Sequence, residues 1–431
     1  MRRIYIWLCC CESTSHLVCA RVKCRFKMHS VNSAFKNCLS RDQIAAAALC
    51  ALPKIGPKRL MTLLKHHDPQ TAWAVVQGRA KPNEVVEAML RVEGLVTLLR
   101  HRATQDLQDQ IEQRCIRSGI KITIFGDENY PRALIADLAP PAVLFYFGDL
   151  SALNNRRVGM VGTRSATASG RYLASHIAHD LATNDVCVVS GLARGIDAWA
   201  HRGALRALES RTISPLTSRP AGRPAEQTLG RPVGVVASGL DVVYPLENAQ
   251  LWQDIATQGA LISESAPGSP PEAFRFPLRN RILAALSEVL VVVESRDTGG
   301  SMITVDEAQK RDVTVLAVPG SPRNIASNGT NQLIQQGCLP IIGAQDVLVA
   351  LGLDNRRAQE NIYDPRVRLS TSDQSLISMM AGSPFTFDDF VIRSDLATID
   401  AAVALGRLEA LGWIIGNSGW WEVIEVRQPL H

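Results

Sequence analysis

Aromatic residues are scarce in this chain of 431 residues: Phe, Trp and Tyr together make up 5%. Long apolar runs are lacking as well. No stretch approaches the ~18 apolar residues a bilayer-spanning helix needs, so no membrane partner is expected. The nearest candidate, Ile4 to Cys11 behind Arg2-Arg3, is short and ends at Glu12 without a clear small-residue cleavage site. That argues against a secretory signal. Paired cysteines are missing from the body of the chain. Six of ten precede residue 39, and Cys50, Cys115, Cys187 and Cys338 stand alone. Neither a zinc site nor a disulfide framework is signalled, and a reducing, cytoplasmic setting fits best.

Catalytic signatures are absent too. No G-x-x-x-x-G-K-[ST] loop occurs, which excludes a P-loop ATPase. Gly159, Gly162 and Gly170 do not form G-x-G-x-x-G, and no acidic residue closes the next apolar run, which ends at Val189-Ser190. A nicotinamide enzyme is therefore disfavoured. There is no H-E-x-x-H, G-x-S-x-G or metal-spaced cluster, and Glu264, Glu294 and Asp306 stand beside no nucleophile. No catalytic residue, metal or cofactor is expected.

An excess of charge of one sign is also lacking where it would matter. The formal net charge is +5, but residues 1–38 hold seven basic residues and one acid, and the rest of the chain nets −1. Global charge thus says nothing about a partner; local clusters must. Residues 1–38 are expected to be a floppy extension, or an over-long gene start with Met28 as the initiator.

What the chain does contain is an alternation of short apolar strands with helical runs, from Lys121 to Ile342. That pattern predicts an α/β domain with a doubly wound, mostly parallel sheet over residues 118–352. Two strand–loop–helix units sit back to back between Val158 and Leu205. The first turns at Gly162-Thr163-Arg164, the second at Ser190-Gly191-Leu192-Ala193-Arg194-Gly195. Glycine admits close backbone approach, helix N-termini attract anions, and each loop adds a guanidinium, so both are expected to bind phosphate. Asp197 can cap the helix that follows, and His201 one turn on can face it. The pair reads either as a phosphate-binding imidazole oriented by a carboxylate or as a helix-stabilising contact. Thr298-Gly299-Gly300-Ser301 opens a further helix and fits phosphate or simple strand-to-helix packing.

The most distinctive cluster is Arg275-Phe276-Pro277-Leu278-Arg279-Asn280-Arg281, at the start of a helix expected from Arg279 to Leu286. Arginines interleaved with a ring suit a single strand, guanidinium to phosphate and ring to base. Residues 39–117 read as a helical module. Within it Leu52 to Arg59 resembles the turn of a helix–hairpin–helix, with Lys54 where the first glycine usually stands; it touches a DNA phosphate or merely packs helices. Residues 209–232 are rich in Arg, Pro and Ser and read as a solvated insertion. Residues 353–369 form a polar linker. Residues 370–431 suggest a winged helix, whose third helix carries more acid than base and so suits packing or protein docking better than groove reading.

With these motifs in order, the chain resembles the bacterial DNA-processing protein A family, DprA or Smf. The resemblance rests on Val161-Gly162-Thr163-Arg164, on Ser190 to Asp197 with Ala200-His201, and on Gly239-Leu240-Asp241-Val242-Val243-Tyr244-Pro245 with Asn248. Ser263-Glu264, Phe276 to Arg281 and Val318-Pro319-Gly320 complete it. It implies an extended Rossmann-like core, no enzymatic activity and no cofactor. It also implies homodimerisation, binding of incoming single-stranded DNA, and loading of RecA on that DNA in natural transformation. The family's strand-binding pocket maps onto Gly162, Arg164, Gly191, Arg194, His201, Phe276, Arg279, Asn280 and Arg281. Thr163 for the usual serine, Gly299-Gly300, Cys338, the 209–232 insertion and residues 1–38 are departures. The rival reading is a lysine-decarboxylase-like Rossmann enzyme that cleaves nucleoside monophosphates. It lacks support in the loop from Gly299 to Thr304, which has neither the preceding proline nor the third glycine.

Overall fold

The computed structural model describes residues 39–213, 229–353, 366–367, 369–417 and 419–424. Much of the insertion expected at 209–232, the linker expected at 353–369 and the extension 1–38 lie outside the described residues.

Six helices come first: α1 (Arg41–Ala51), α2 (Pro57–His66), α3 (Pro69–Gln77), α4 (Glu84–Leu90), α5 (Leu95–Arg102) and α6 (Gln105–Ser118). Their starts follow from local chemistry. Ser40 caps α1 in a capping box with Gln43, and Asp68, Asn83 and Thr104 each accept a first-turn N–H of α3, α4 and α6. The helical run expected from Pro82 to Leu99 is broken at Gly94, which stands in the left-handed region.

The middle of the chain runs β1 (Lys121–Ile124), α7 (Arg132–Ile135), β2 (Val143–Gly148), β3 (Arg156–Val161), α8 (Ala168–Thr183), β4 (Val186–Ser190) and α9 (Ile196–Ile213). It continues through β5 (Val233–Val236), α10 (Ala249–Gln258), β6 (Ala260–Ser263), α11 (Arg275–Leu286), β7 (Val289–Val292) and α12 (Gly300–Gln309). It ends with β8 (Thr314–Ala317), α13 (Asn328–Gln335), β9 (Leu339–Pro340) and α14 (Ala344–Ala350).

The nine strands form one sheet in the order β1-β2-β6-β5-β4-β3-β7-β8-β9. Every pair from β6 to β9 is parallel; β1 and β2 make an antiparallel edge. Helices cover both faces, as the near-continuous apolar strands require. One face packs α8, α9 and α14 through Ile177, Leu181, Ala200 and Val347; the other packs α11, α12 and α13 through Ile282, Leu283, Val305 and Leu333. The N-terminal helices share a continuous core with the antiparallel edge, where Leu49, Leu99 and Ile111 join Ile122, Phe145 and Leu261.

The C-terminal segment has its own core of Leu376, Met380, Phe385, Phe390, Leu405, Leu408 and Ile414. It comprises α15 (Thr371–Met380), β10 (Phe385–Thr386), α16 (Phe387–Ser394), α17 (Thr398–Ala410), β11 (Ile414–Asn417) and β12 (Trp420–Val423). Its sheet order is β10-β12-β11, which with three helices is a winged helix. It meets α8 through Arg366, whose guanidinium lies over the rings of Tyr172 and Trp413.

Candidate nucleic-acid interface

In a sheet of this topology ligands collect at the carboxyl ends of the strands, beside the switch point where neighbours are reached in opposite directions. Here that point lies between β3 and β7, and it is filled. The Glu294 carboxylate takes the Thr167 N–H at 3.0 Å and its hydroxyl at 2.5 Å. Burial raises the pKa of Glu294, and the hydrogen bonds from Thr167 oppose that rise. Open space lies instead toward the ends of β4, β5 and β6.

The β3 and β4 loops are stitched together. The Ile196 N–H donates to the Thr163 carbonyl, and Gly195 sits so close to Thr163 and Arg164 that a Cβ there would overlap their carbonyls. Leu192 is buried at φ 56° and is held there by Asn248, whose Nδ2 donates to the Leu192 carbonyl at 3.0 Å. A β-carbon at Gly191 would overlap the Arg279 guanidinium.

The Arg275–Arg281 cluster stands at the start of a helix, as expected, but that helix begins at Arg275 and not at Arg279. It forms the first two turns of α11, with Pro277 tolerated in the first turn. Its members therefore point in different directions. Phe276 faces the β3 loop, where the Arg164 guanidinium lies 5.1 Å above its ring and Tyr244 packs edge-on at 6.0 Å. Arg279 is buried; its Nη1 donates to the Val235 carbonyl at 2.6 Å, while its Nε has no partner. Arg281 points to the far side, donating to the Ala139 carbonyl and pairing with Glu264 at 2.5 Å. Arg275 pairs with Glu272 at 3.0 Å. Asn280 is buried in the helix.

The second loop departs from expectation too. Asp197 stands in the first turn of α9, as expected, but hydrogen bonds from the Ala193 and Gly191 backbone also hold it against the loop. Burial raises its pKa, and Arg279, those hydrogen bonds and Arg164 oppose the rise. His201 is fully buried, and its ring makes no hydrogen bond of good geometry, with only a weak approach to the Ser190 carbonyl. Burial pushes its pKa down to about 3, the Ser190 carbonyl opposing and Arg279 reinforcing. A neutral imidazole sealed behind the loop does not fit the phosphate-ligand reading, and no hydrogen bond links Asp197 to His201.

A hollow of about 350 Å³ opens beside these loops, lined by Arg164, Arg171, Arg194, Trp199, Arg202 and Asn248 among others. Arg194 is paired with Glu247 at 2.6 Å, both more than half exposed. Such a surface pair contributes at most about 1 kcal/mol and yields readily to a phosphate. Arg202 lies 5.1 Å over Trp199. The pKa of Arg202 is lowered by burial and then by Arg206, with Glu247 opposing. Arg171, Trp199 and Arg202 were missed by sequence reading, and Tyr244 figured there only within a family motif. Their signal was available, because Trp199 and Arg202 stand three apart on α9 and so share a face.

Among the described residues, no group of three or more His, Cys, Asp or Glu could hold a metal, and no helix is long and apolar enough to cross a membrane.

The sequence pattern of the DNA recombination-mediator protein A family matches residues 121–352. The DNA processing protein DprA of Bacillus subtilis is 36% identical over 234 residues, which is 54% of this chain and 72% of that protein. Protein Smf of Escherichia coli is 30% identical over 310 residues, 70% of this chain and 77% of that one. The X-ray structure of DNA processing protein A from Streptococcus pneumoniae superposes with a TM-score of 0.57 at 26% identity, covering 72% of this chain and 98% of the other. A chain matched along this much of its sequence and fold belongs to the DNA recombination-mediator protein A family.

Proposed function

We propose that this protein is a recombination mediator that binds single-stranded DNA at the carboxyl edge of its sheet and helps load RecA on it during natural transformation. It acts in the cytoplasm, as a homodimer, without chemistry of its own. The observation that carries the reading is the stack of Arg164 on Phe276 on Tyr244, next to a hollow walled by Arg164, Arg171, Arg194 and Arg202. Guanidiniums take phosphates, and an accessible ring takes a base whose face is free, which a duplex does not offer. Gly162, Gly191 and Gly195 let the two loops pack closely on each other and on Arg279, which fixes the backbone presented to the strand. Arg279 and Asp197 hold the second loop from behind, while Asn280, Arg281 and His201 are buried away from the hollow.

Membership of the recombination-mediator family supports the RecA partnership. The commitment of the carboxylates at this edge supports a non-catalytic role: Glu264 to Arg281, Glu294 to Thr167, Glu247 to Arg194.

Gel shifts with labelled oligonucleotides test the reading. Single strands should bind in preference to duplex, with a log–log salt slope near −0.7 per phosphate contacted. Arg164→Ala and Phe276→Ala should each weaken binding about tenfold or more. Equal affinity for both strand forms would defeat the reading. So would full affinity in both variants, or release of free base from a nucleoside monophosphate.

A further inference from the structure

A second cleft, of about 390 Å³, lies on the other side of the α11 N-terminus. The turn Leu52–Pro57 forms one wall; Phe274, Arg275 and Leu278 form the other, with Arg279 at the base. We infer that this cleft binds a further nucleotide of the single strand, its phosphate against the α2 N-terminus and its base against Phe274. The inference rests on the strand-binding reading above and extends the path of the strand from the β3 and β4 loops to the helical hairpin.

Two independent features point to an anionic ligand. The first is the start of α2. Gly56 offers no side-chain cap, the first turn holds no acid, and Lys58 and Arg59 stand in it. Cations at a helix N-terminus oppose the dipole, so this end is electrostatically unfinished and free N–H groups face outward. Lys54 is itself on the wall of the cleft, exposed and at φ 64°, while Arg59 donates to its carbonyl from the first turn of α2. A lysine in the left-handed region is strained where glycine would not be. The second feature is Arg279, which is buried and keeps an unpartnered Nε–H at the base of this cleft. A buried donor without a partner is costly, and an oxygen of a bound nucleotide would satisfy it.

The rest of the lining suits a nucleoside. Phe274 is 59% exposed and has the Arg275 guanidinium 5.0 Å from its ring, a platform for a base. Ser265 and Ser269 supply hydroxyls, and Glu264 also lines the cleft, its charge matched by Arg281. Arg279 is common to both sites: its Nη1 lies behind Gly191 and its flank lines this cleft.

The test is fluorescence anisotropy with oligothymidylates of about 4 and about 16 nucleotides, the span over which such sites fill. Lys54→Glu with Lys58→Glu should weaken the longer strand about tenfold and flatten its salt slope by ~0.7 for each phosphate lost. The shorter strand, held by the first site, should bind as to wild type. Phe274→Ala should likewise spare the short strand and weaken the long one. The lysine-to-glutamate variant should fold at least as well as wild type, because a carboxylate at Lys58 favours the helix terminus. Lys54→Gly, which keeps the turn and removes only the charge, should weaken the long strand less but in the same direction. Unchanged binding of the long strand in the double variant and in Phe274→Ala overturns the inference while leaving the first site intact. An equal loss on both lengths overturns it too, since the cleft would not be a separate subsite. If wild type binds neither length, it is the strand-binding reading itself that fails.

Discussion

Arg164 and Arg281 carry the same guanidinium to opposite ends of its uses. Arg164 is exposed and rests on one ring, while Arg281 is buried and holds Glu264. Arg164→Ala should therefore reduce strand binding and leave the melting temperature nearly unchanged. Arg281→Met should do the reverse at first order, costing about 3–5 kcal/mol by leaving a buried carboxylate unpaired. Urea titrations beside gel shifts on both variants check this; a destabilised Arg164→Ala or a fully stable Arg281→Met contradicts the assignment.

His201 gives a pH dependence at the same scale. Its folded value, about 3, lies below the unfolded value near 6.5, so the unfolded chain binds the extra proton. The stability it contributes is present above about pH 6.5 and is lost as pH falls toward 3. His201→Leu should remove that component, flattening the stability profile between about pH 6.5 and pH 5, where few carboxylates titrate. Identical profiles for variant and wild type would show that the imidazole is not held neutral.

At the scale of the element, α11 decides how the arginine cluster is used. Successive residues on a helix turn by about 100°, so Arg279 and Arg281 diverge by about 200°, whereas Arg275 and Arg279 lie near one another. A start at Arg279 leaves Arg275 to Leu278 outside the helix, and the seven residues then read as one strand-binding cluster. Moving the start to Arg275 divides it into Phe276 on one site, Phe274 and Arg275 on another, and Arg281 in the interior. The periodicity was legible; the boundary was not, because a proline and three arginines give no sharp cap. Other boundaries were legible for the opposite reason. Ser40 ahead of an apolar run marks a helix start, and in the structure it closes a capping box with Gln43.

At the scale of the molecule, the sheet and its N-terminal helices share continuous cores, while the winged helix has its own. Its link to α8 runs through Arg366, Tyr172 and Trp413. Ending the chain after Leu353 should therefore leave a folded sheet domain that binds single strands with affinity close to that of the full chain. Circular dichroism and anisotropy on the truncated protein check this. A collapsed melting transition would show that the two cores are energetically one, and lost binding in a folded fragment would place part of the strand path on the winged helix.

Strand and helix order, the parallel sheet and the two glycine loops were determined by the sequence alone. They rest on local rules: apolar periodicity, caps, and turns that exclude a side chain. Which charges meet the ligand was decided only by the tertiary structure. Burial strips His201 of its proton, α11 turns Arg281 inward, and packing of α8 against α9 brings Arg171 and Arg202 to one hollow. Desolvation and direction depend on neighbours far away in the chain, and no local pattern of residues contains them.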